Sequence, residues 1–404
     1  MYAIQTLNKI SSKGLDRLPR EQFETATELT HPDAILVRSY KIQPDEIKNT
    51  IKAIARAGAG VNNIPVEHCS DRGIVVFNTP GANANSVKEL VLTGLFISSR
   101  NINAGINWVQ SLDKNDEVSR LVEKEKSRFS GPEVQGKKLG VIGLGSIGVL
   151  VANAAQSLGM EVIGYDPFIS INAAWGLSPE VKKASSLDQL YAESDYLTLH
   201  IPLTDKTRGI IDHRKFEMMK KGTRLLNFAR GGLVNNKDLK QAIEDGIIGY
   251  YVTDFPDGDL LGNPRIITIP HLGASSPEAE ENCAVMAANQ VRIFLESGNI
   301  TNAVNFPSCY MEYSGGYRIL IANKNIPNMV GQISTMLADN GKNIQDMVNK
   351  HRDGIAYNII DISDKADKDL IQKLNDIEGV VMVRQICPRK MYKTPTLSGS
   401  AEND

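Results

Sequence analysis

Short runs of β-branched and aliphatic residues recur along roughly the first three quarters of the chain, separated by stretches in which apolar positions return every three or four residues. The runs fit buried strands and the intervening stretches fit amphipathic helices, so the alternation predicts parallel sheets covered by helices, an α/β architecture. The clearest strand candidates are 34–38, 52–56, 75–78, 138–142, 161–165, 196–200, 223–227 and 266–269. Several end in loops that carry polar residues, and in open α/β sheets the ligand crevice lies outside the carboxyl ends of the strands. A charged segment, 113–128, precedes the most Gly-rich strand and reads as an exposed helix or an arm. The alternation breaks at 305–316, where Pro307, Ser308, Gly315 and Gly316 cluster. From Tyr317 to near Ile386 the order becomes strand, helix, strand, strand, helix, strand, which predicts a small ferredoxin-like unit. The tail 391–404, rich in Thr, Ser, Pro and acidic residues, is expected to be disordered.

Composition narrows the class of partner. At 404 residues the chain exceeds what one hydrophobic core organises, so two or three domains are expected. Hydrophobic residues at 42% and charged residues at 23% fit a soluble globular protein, and a net charge of −2 argues against a nucleic-acid partner. Cys69, Cys283, Cys309 and Cys387 form no CxxC pair, so neither a metal site nor a disulfide framework is signalled, and they read as reduced thiols in a cytoplasmic protein. The first residues lack a basic flank followed by an apolar run, and the most apolar stretch, 139–155, is too short and Gly-rich to span a bilayer, so no signal peptide and no membrane association are expected.

The segment VIGLGSIG sets Gly143, Gly145 and Gly148 in the pattern GxGxxG, directly after an apolar strand and before a helical run. Glycine at the first two positions lets backbone turn tightly and approach a pyrophosphate, and free amides at the helix start hold the anion. A Gly-rich turn alone would carry little weight. Here Asp166 follows at the end of the next strand, where a carboxylate accepts hydrogen bonds from ribose hydroxyls and repels a 2′-phosphate, which points to NAD over NADP.

Three further strand ends carry ionisable residues: Arg230 in NFARGG, an acidic cluster in TDFPDGD, and His271 in PHLGAS. Oxidation of a 2-hydroxy acid needs a base for the hydroxyl proton and a fixed cation for the carboxylate, which are the types His271 and Arg230 supply. An acidic neighbour would orient the imidazole and favour its charged form. Taken singly, Arg230 reads equally as a solvated loop charge and His271 as a satisfied histidine behind Pro270; beside a dinucleotide site they read as a set.

In this order and spacing, GLGSIG, NFARGG and PHLGAS, with NTPGANANSVKEL upstream, resemble the D-isomer-specific 2-hydroxyacid dehydrogenases over nearly the whole chain. The resemblance implies a discontinuous flavodoxin-like substrate domain (1–94 and 276–308), a Rossmann NAD-binding domain (95–275) and a C-terminal ferredoxin-like ACT domain (316–390). It implies that Arg230 binds the substrate carboxylate and keto oxygen and that His271 is the acid/base. The family's third member is a Glu five residues after the Asp matching Asp254; this chain has Asp259 there, with Asp257 as a rival. It also implies NAD contacts from Ser146, Ile147, Thr207, Ala229, Asp254 and Ala274, with Ala59 near the nicotinamide.

ILVRSYK and AIARAGAG place Arg38 and Ser39 at one strand end and Arg56, Gly58 and Gly60 at another, so cations and amides can converge on a phosphate. Lys41 reads as ordinary basic rim. Members of the resembled family that oxidise 3-phosphoglycerate carry Arg at both matching positions, which makes 3-phosphoglycerate the expected substrate. Glycerate or hydroxypyruvate is the alternative, and a different class is an NAD-sensing scaffold built on the same fold. Lys126 and Arg128 match a basic arm that reaches a neighbouring subunit in relatives, and a homo-oligomer, dimer or tetramer, is expected. The ACT-like unit implies a serine effector, with Asn325 and Asn343 at matching positions; Asn323 and Asn328 depart from that pattern. The other reading of this unit is that it only pairs edge strands between subunits.

Overall fold

The computed structural model describes residues 1–114 and 117–388, and the tail expected to be disordered lies outside the described residues. The chain folds into two compact units, one made of Met1–Thr79 and the chain from Cys283 onward, the other of Pro80–Asn282.

In the first unit β1 (Tyr2–Leu7), β2 (Phe23–Ala26), β3 (Ala34–Val37), β4 (Ala53–Arg56) and β5 (Val75–Phe77) form a parallel sheet in the order β2-β1-β3-β4-β5. That is the flavodoxin-like order, whose reversal at β1 and β3 opens a crevice at the strand carboxyl ends. Ile35, Val37, Ile54, Ile74 and Val76 form its core. The C-terminal return is stitched back to this sheet: the Val304 amide donates to the Val76 carbonyl at 2.9 Å, and Asn305 both accepts from the Val76 amide and donates to the Ile74 carbonyl.

The second unit carries β6 (Lys138–Ile142), β7 (Glu161–Tyr165), β8 (Lys182–Lys183), β9 (Tyr196–Leu199), β10 (Thr223–Asn227), β11 (Ile248–Thr253) and β12 (Ile266–Thr268), ordered β12-β11-β10-β9-β6-β7-β8 and parallel throughout. Counted from β6 this is the Rossmann order with one strand added, and its switch point lies between β6 and β9. Both faces are covered, which is why these strands read as continuous apolar runs. Helix Ala84–Ser99 lies on the face that includes Val91, Leu95, Val141 and Phe228.

The last sheet is antiparallel: β13 (Tyr317–Lys324), β14 (Ile344–Arg352), β15 (Ile355–Ile362) and β16 (Val380–Ile386) in the order β14-β15-β13-β16. Helices Met329–Asp339 and Lys368–Asn375 cover one face, giving the ferredoxin-like, ACT-like arrangement. This sheet is bolted to the rest of the first unit. Arg318, fully buried, holds Asp361 with Nε and Nη2 at 2.6 and 2.8 Å and also donates to the carbonyls of Ser297, Met311 and Glu312. Tyr357 and Arg384 add bonds to the Gly298 and Phe294 carbonyls.

The charged segment becomes an exposed helix, Val118–Glu125, followed by a 3-10 turn, Lys126–Phe129, from which Lys126 and Arg128 pair back with Glu123 and Glu125. The cysteines are free thiols, and burial pushes Cys69 and Cys309 up to about 11. Among the described residues no helix is long and apolar enough to cross a membrane, and no group of three or more His, Cys, Asp or Glu is placed to hold a metal.

Candidate active site

The turn after β6 shows what each glycine is for. Gly143 has φ +92°, and a Cβ there would lie 2.5 Å from the His200 carbonyl oxygen. A Cβ on Gly148 would lie 2.0 Å from the Gly143 oxygen, so this residue lets helix Ser146–Ser157 pack on the turn. Gly145 is different: its φ is −76° and nothing lies within 4 Å of its Cβ position, so open space faces the helix start. A dinucleotide diphosphate needs that kind of cradle. Ser146 begins the helix, exposed, and Ile147 packs half-buried against the core.

Asp166, at the end of β7, accepts from the Leu144 amide through Oδ2 and from the Phe168 amide through Oδ1, both at 2.8 Å. The carboxylate therefore pins the glycine turn to β7. Across the switch point, His200 ends β9 with Nε2 3.0 Å from the Thr198 hydroxyl and a buried, unpartnered Nδ1; burial pushes its pKa down to about 3. Thr207, in the following loop, donates to the Pro202 carbonyl at 2.7 Å.

Arg230, Asp254 and His271 come together in this unit, at the carboxyl ends of β10, β11 and β12. Arg230 is exposed, with Nη1 donating to the Ala229 carbonyl at 2.7 Å. The turn presenting it is built by buried Asn227, whose Oδ1 accepts from the amides of Ala229 and Arg230 and whose Nδ2 donates to the Arg230 carbonyl and the Tyr251 hydroxyl. Thr253 locks the neighbouring strand end by donating to the Asn227 carbonyl at 2.8 Å. Sequence reasoning passed over both residues, although an Asn two residues before the Ala-Arg turn is an Asx-turn signal.

Asp254 is 1% exposed, and neither carboxylate oxygen has a hydrogen-bond partner; the Gly273 amide stands nearby, outside bonding geometry. Burial raises its pKa, while His271 and more weakly Arg230 oppose that shift by favouring the anion. His271 is exposed and stacks edge-on against Phe255, ring centroids 4.7 Å apart. Gly231, Gly232, Asp254, Phe255, Asp257 and His271 line a cavity of about 370 Å³.

Asp259 stands apart from this group. Its carboxylate is 72% exposed and lies 3.3 Å from the Lys240 ammonium, while Asp257, bonded to Asn236 and to the Asp259 amide, lines the cavity. The His271 charge acts on the Asp254 carboxylate. Ala229 is half-buried beside Arg230, and Ala274 is exposed after His271.

In the first unit Val37 and Arg56 are register partners on adjacent strands, so Arg38 and Arg56 sit at neighbouring strand ends. Arg56 donates through Nε to the Arg38 carbonyl at 2.9 Å. Its guanidinium lies over the AGAG loop, and a Cβ on Gly60 would sit 2.8 Å from Nη1. Gly58 is half-buried, Ser39 and Ala59 are exposed, and the Ala59 carbonyl accepts from Asn78 at 2.6 Å. Asn8 and Asn63 grip the Arg38 loop, the first accepting the Ser39 and Tyr40 amides and the second donating to the Tyr40 carbonyl.

Asn325 follows β13 and donates through Nδ2 to the Asp353 carbonyl at 3.4 Å, and Asn343, exposed, accepts the Ser363 amide through its carbonyl.

The description D-isomer specific 2-hydroxyacid dehydrogenase, NAD binding domain, matches residues 92–273. Among curated relatives, the D-3-phosphoglycerate dehydrogenase of Methanocaldococcus jannaschii is 34% identical over 334 residues, covering 80% of this chain and 61% of its own. Residues 92–273 are a D-isomer specific 2-hydroxyacid dehydrogenase NAD-binding domain. The chain spans about three fifths of that relative's length. A glyoxylate reductase from Paecilomyes thermophila (24% identical, 75% of this chain and 98% of that one, TM-score 0.60) shares the fold of these dehydrogenases. So does an NAD⁺-bound 3-phosphoglycerate dehydrogenase of Entamoeba histolytica (24%, 75% and 98%, TM-score 0.56). NAD is the cofactor of the family's nucleotide domain, and the open Gly145 cradle together with the Asp166 carboxylate fits it.

Proposed function

We propose that this protein oxidises 3-phospho-D-glycerate at C2, giving 3-phosphohydroxypyruvate. The observation that carries the reading is the gathering of Arg230, Asp254 and His271 on three adjacent strand ends of the sheet that bears the glycine turn. Arg230 holds the substrate carboxylate and polarises the C2 oxygen, and His271 takes the hydroxyl proton as hydride leaves C2. Gly143, Gly145 and Gly148 would hold the diphosphate of NAD and Asp166 its ribose, and the bound cofactor would supply the hydride acceptor. Thr207, Ala229, Ala274, Ser146, Ile147 and Ala59 are assigned to cofactor contacts.

Asp254 is assigned to pair with the His271 imidazole. Asp259 remains the family-position candidate for that role, and Asp259→Asn separates the two: an unchanged pH–rate profile leaves the role to Asp254. Arg38, Ser39, Arg56 and Gly58 are assigned to the phosphate, and the M. jannaschii relative, by its name, acts on 3-phosphoglycerate. A homo-oligomer and a serine effector at Asn325 and Asn343 complete the proposal; sizing by light scattering and turnover with and without serine test them.

The deciding experiment is NADH production from 3-phosphoglycerate and from glycerate by wild type and Arg38→Ala/Arg56→Ala. The double variant is expected to lose the phosphorylated substrate selectively, and equal losses on both acids refute the phosphate assignment. Arg230→Ala is expected to abolish turnover with NADH binding intact.

A further inference from the structure

The amino ends of β9, β10 and β11 hold a second cavity, also of about 370 Å³, within the range of about 300–1,000 Å³ usual for small-molecule sites. It lies at the opposite end of the strands from the catalytic group. β10 begins in this cavity at Thr223 and ends next to Arg230, and five residues at about 3.3 Å each separate the two ends by roughly 17 Å.

Its lining is unusual in charge. Lys137, Lys220, Lys221, Arg224 and Arg265 face it, against a single carboxylate, Asp195. That carboxylate is already engaged, by the Lys220 ammonium at 3.0 Å and the Lys138 amide at 2.9 Å. Burial works to raise the Asp195 pKa, but these bonds outweigh it and the group is held as an anion matched to Lys220. Among the described residues no ion pair engages Lys137, Lys221, Arg224 or Arg265; Lys137 only shares the Asp195 charge with Lys220, so these four cations face one carboxylate already paired to a fifth.

Two of the four are held in place. Arg224 donates through Nε to the Ser98 carbonyl at 3.0 Å and lies over the Tyr196 ring at 5.2 Å, and Arg265 reaches the Gly249 carbonyl at 3.4 Å. Their forks are therefore ordered before any anion arrives, which lowers the entropy cost of binding one. Like charges gathered this way repel one another, and a multivalent anion relieves that repulsion while accepting several charge-assisted hydrogen bonds. A carboxylate offers two acceptor oxygens and a single phosphate spans only part of the concavity, whereas two linked phosphates present more acceptors over a longer span to the five cations that line it.

We propose that this cavity is a binding site for a small anion of the diphosphate class, distinct from the dinucleotide turn. The test is calorimetric titration of the full chain with pyrophosphate at 0.15 M salt, with NADH saturating so that the glycine turn is filled. Wild type is compared with Lys137→Gln/Lys221→Gln/Arg265→Gln and, separately, with Arg38→Ala/Arg56→Ala. The expected result is a loss of about tenfold or more in pyrophosphate affinity in the triple variant alone, with its NADH affinity and melting temperature unchanged. Orthophosphate should bind more weakly than pyrophosphate. No binding to wild type, equal binding by the triple variant, loss confined to the Arg38/Arg56 variant, or equal affinity for orthophosphate and pyrophosphate would each overturn the proposal.

Discussion

Gly145→Ala separates the cofactor role of the glycine turn from its structural role. At φ −76° an alanine is unstrained, and no atom lies within 4 Å of the new methyl. Alanine is a poorer helix N-cap than glycine, but it also lowers the entropy of the unfolded chain by about 0.4–1 kcal/mol, so the two effects nearly cancel in the ligand-free protein. The methyl does occupy the space where a diphosphate meets the helix amides. Losing one hydrogen bond to a charged group costs about 1.5–3 kcal/mol, so NADH affinity should fall about ten- to 150-fold. Gly148→Ala is the contrast: its methyl would stand 2.0 Å from the Gly143 oxygen, and overpacking of that kind costs about 1–3 kcal/mol before any ligand is added. Melting curves without ligand and fluorescence titration with NADH distinguish the two. Unchanged NADH affinity in Gly145→Ala, or a ligand-free melting loss as large as that of Gly148→Ala, would refute the assignment of that space to the dinucleotide.

Asp361→Asn leaves the buried Arg318 guanidinium without its counter-charge and should cost about 3–5 kcal/mol in urea unfolding monitored in the ferredoxin-like sheet; a loss below about 1 kcal/mol would mean that the carbonyls of Ser297, Met311 and Glu312 suffice to hold the guanidinium. His200, whose folded pKa of about 3 lies below its ordinary 6.5, binds fewer protons folded than unfolded between those values, so stability falls as pH drops below 6.5, by up to about 1.4 kcal/mol per pH unit. Wild type should therefore lose more melting temperature than His200→Asn between pH 7 and pH 5, and parallel curves would contradict the burial. Because burial raises the Asp254 pKa, its ionisation destabilises the fold progressively as pH rises from the ordinary Asp range to that elevated value, and levels off above it. Asp254→Asn should then melt higher than wild type at neutral pH, with the gap closing below the ordinary Asp range, while turnover is lost; a lower melting temperature at neutral pH would refute the unpartnered state.

The repetitive parts of the fold were legible because their physics is local. Every strand whose carboxyl end bears a proposed catalytic or phosphate residue, except β11, stood out as an apolar run, and GxGxxG revealed its strand–turn–helix context. β11 was hidden by Gly249, which interrupts the run; a Cβ there would meet the Gly222 oxygen at 2.7 Å, a constraint set by the residue just before β10, 27 residues away in sequence. β1 and β2 escaped because one is only half-buried and the other is a four-residue polar edge. At the site, residue types marked Arg230 and His271, but which acid faces the imidazole depends on loop geometry. Asp259 occupies the expected spacing and its carboxylate lies beside Lys240, while Asp254, one residue past β11, is the buried carboxylate. Asn227 is invisible as chemistry because it touches only backbone and a tyrosine hydroxyl.

The anchoring of Arg318 has a practical corollary for anyone cutting this gene. The Pro- and Gly-rich stretch before Tyr317 looks like a seam, yet the carbonyls of Ser297, Met311 and Glu312 on one side of it are donated to by a guanidinium on the other. A stop codon placed there would expose Phe294, Phe306 and the end of the long helix to water, and the shortened product would be a candidate for inclusion bodies. In this molecule the C-terminal sheet serves as a cover of the hydrophobic interior and is not dispensable.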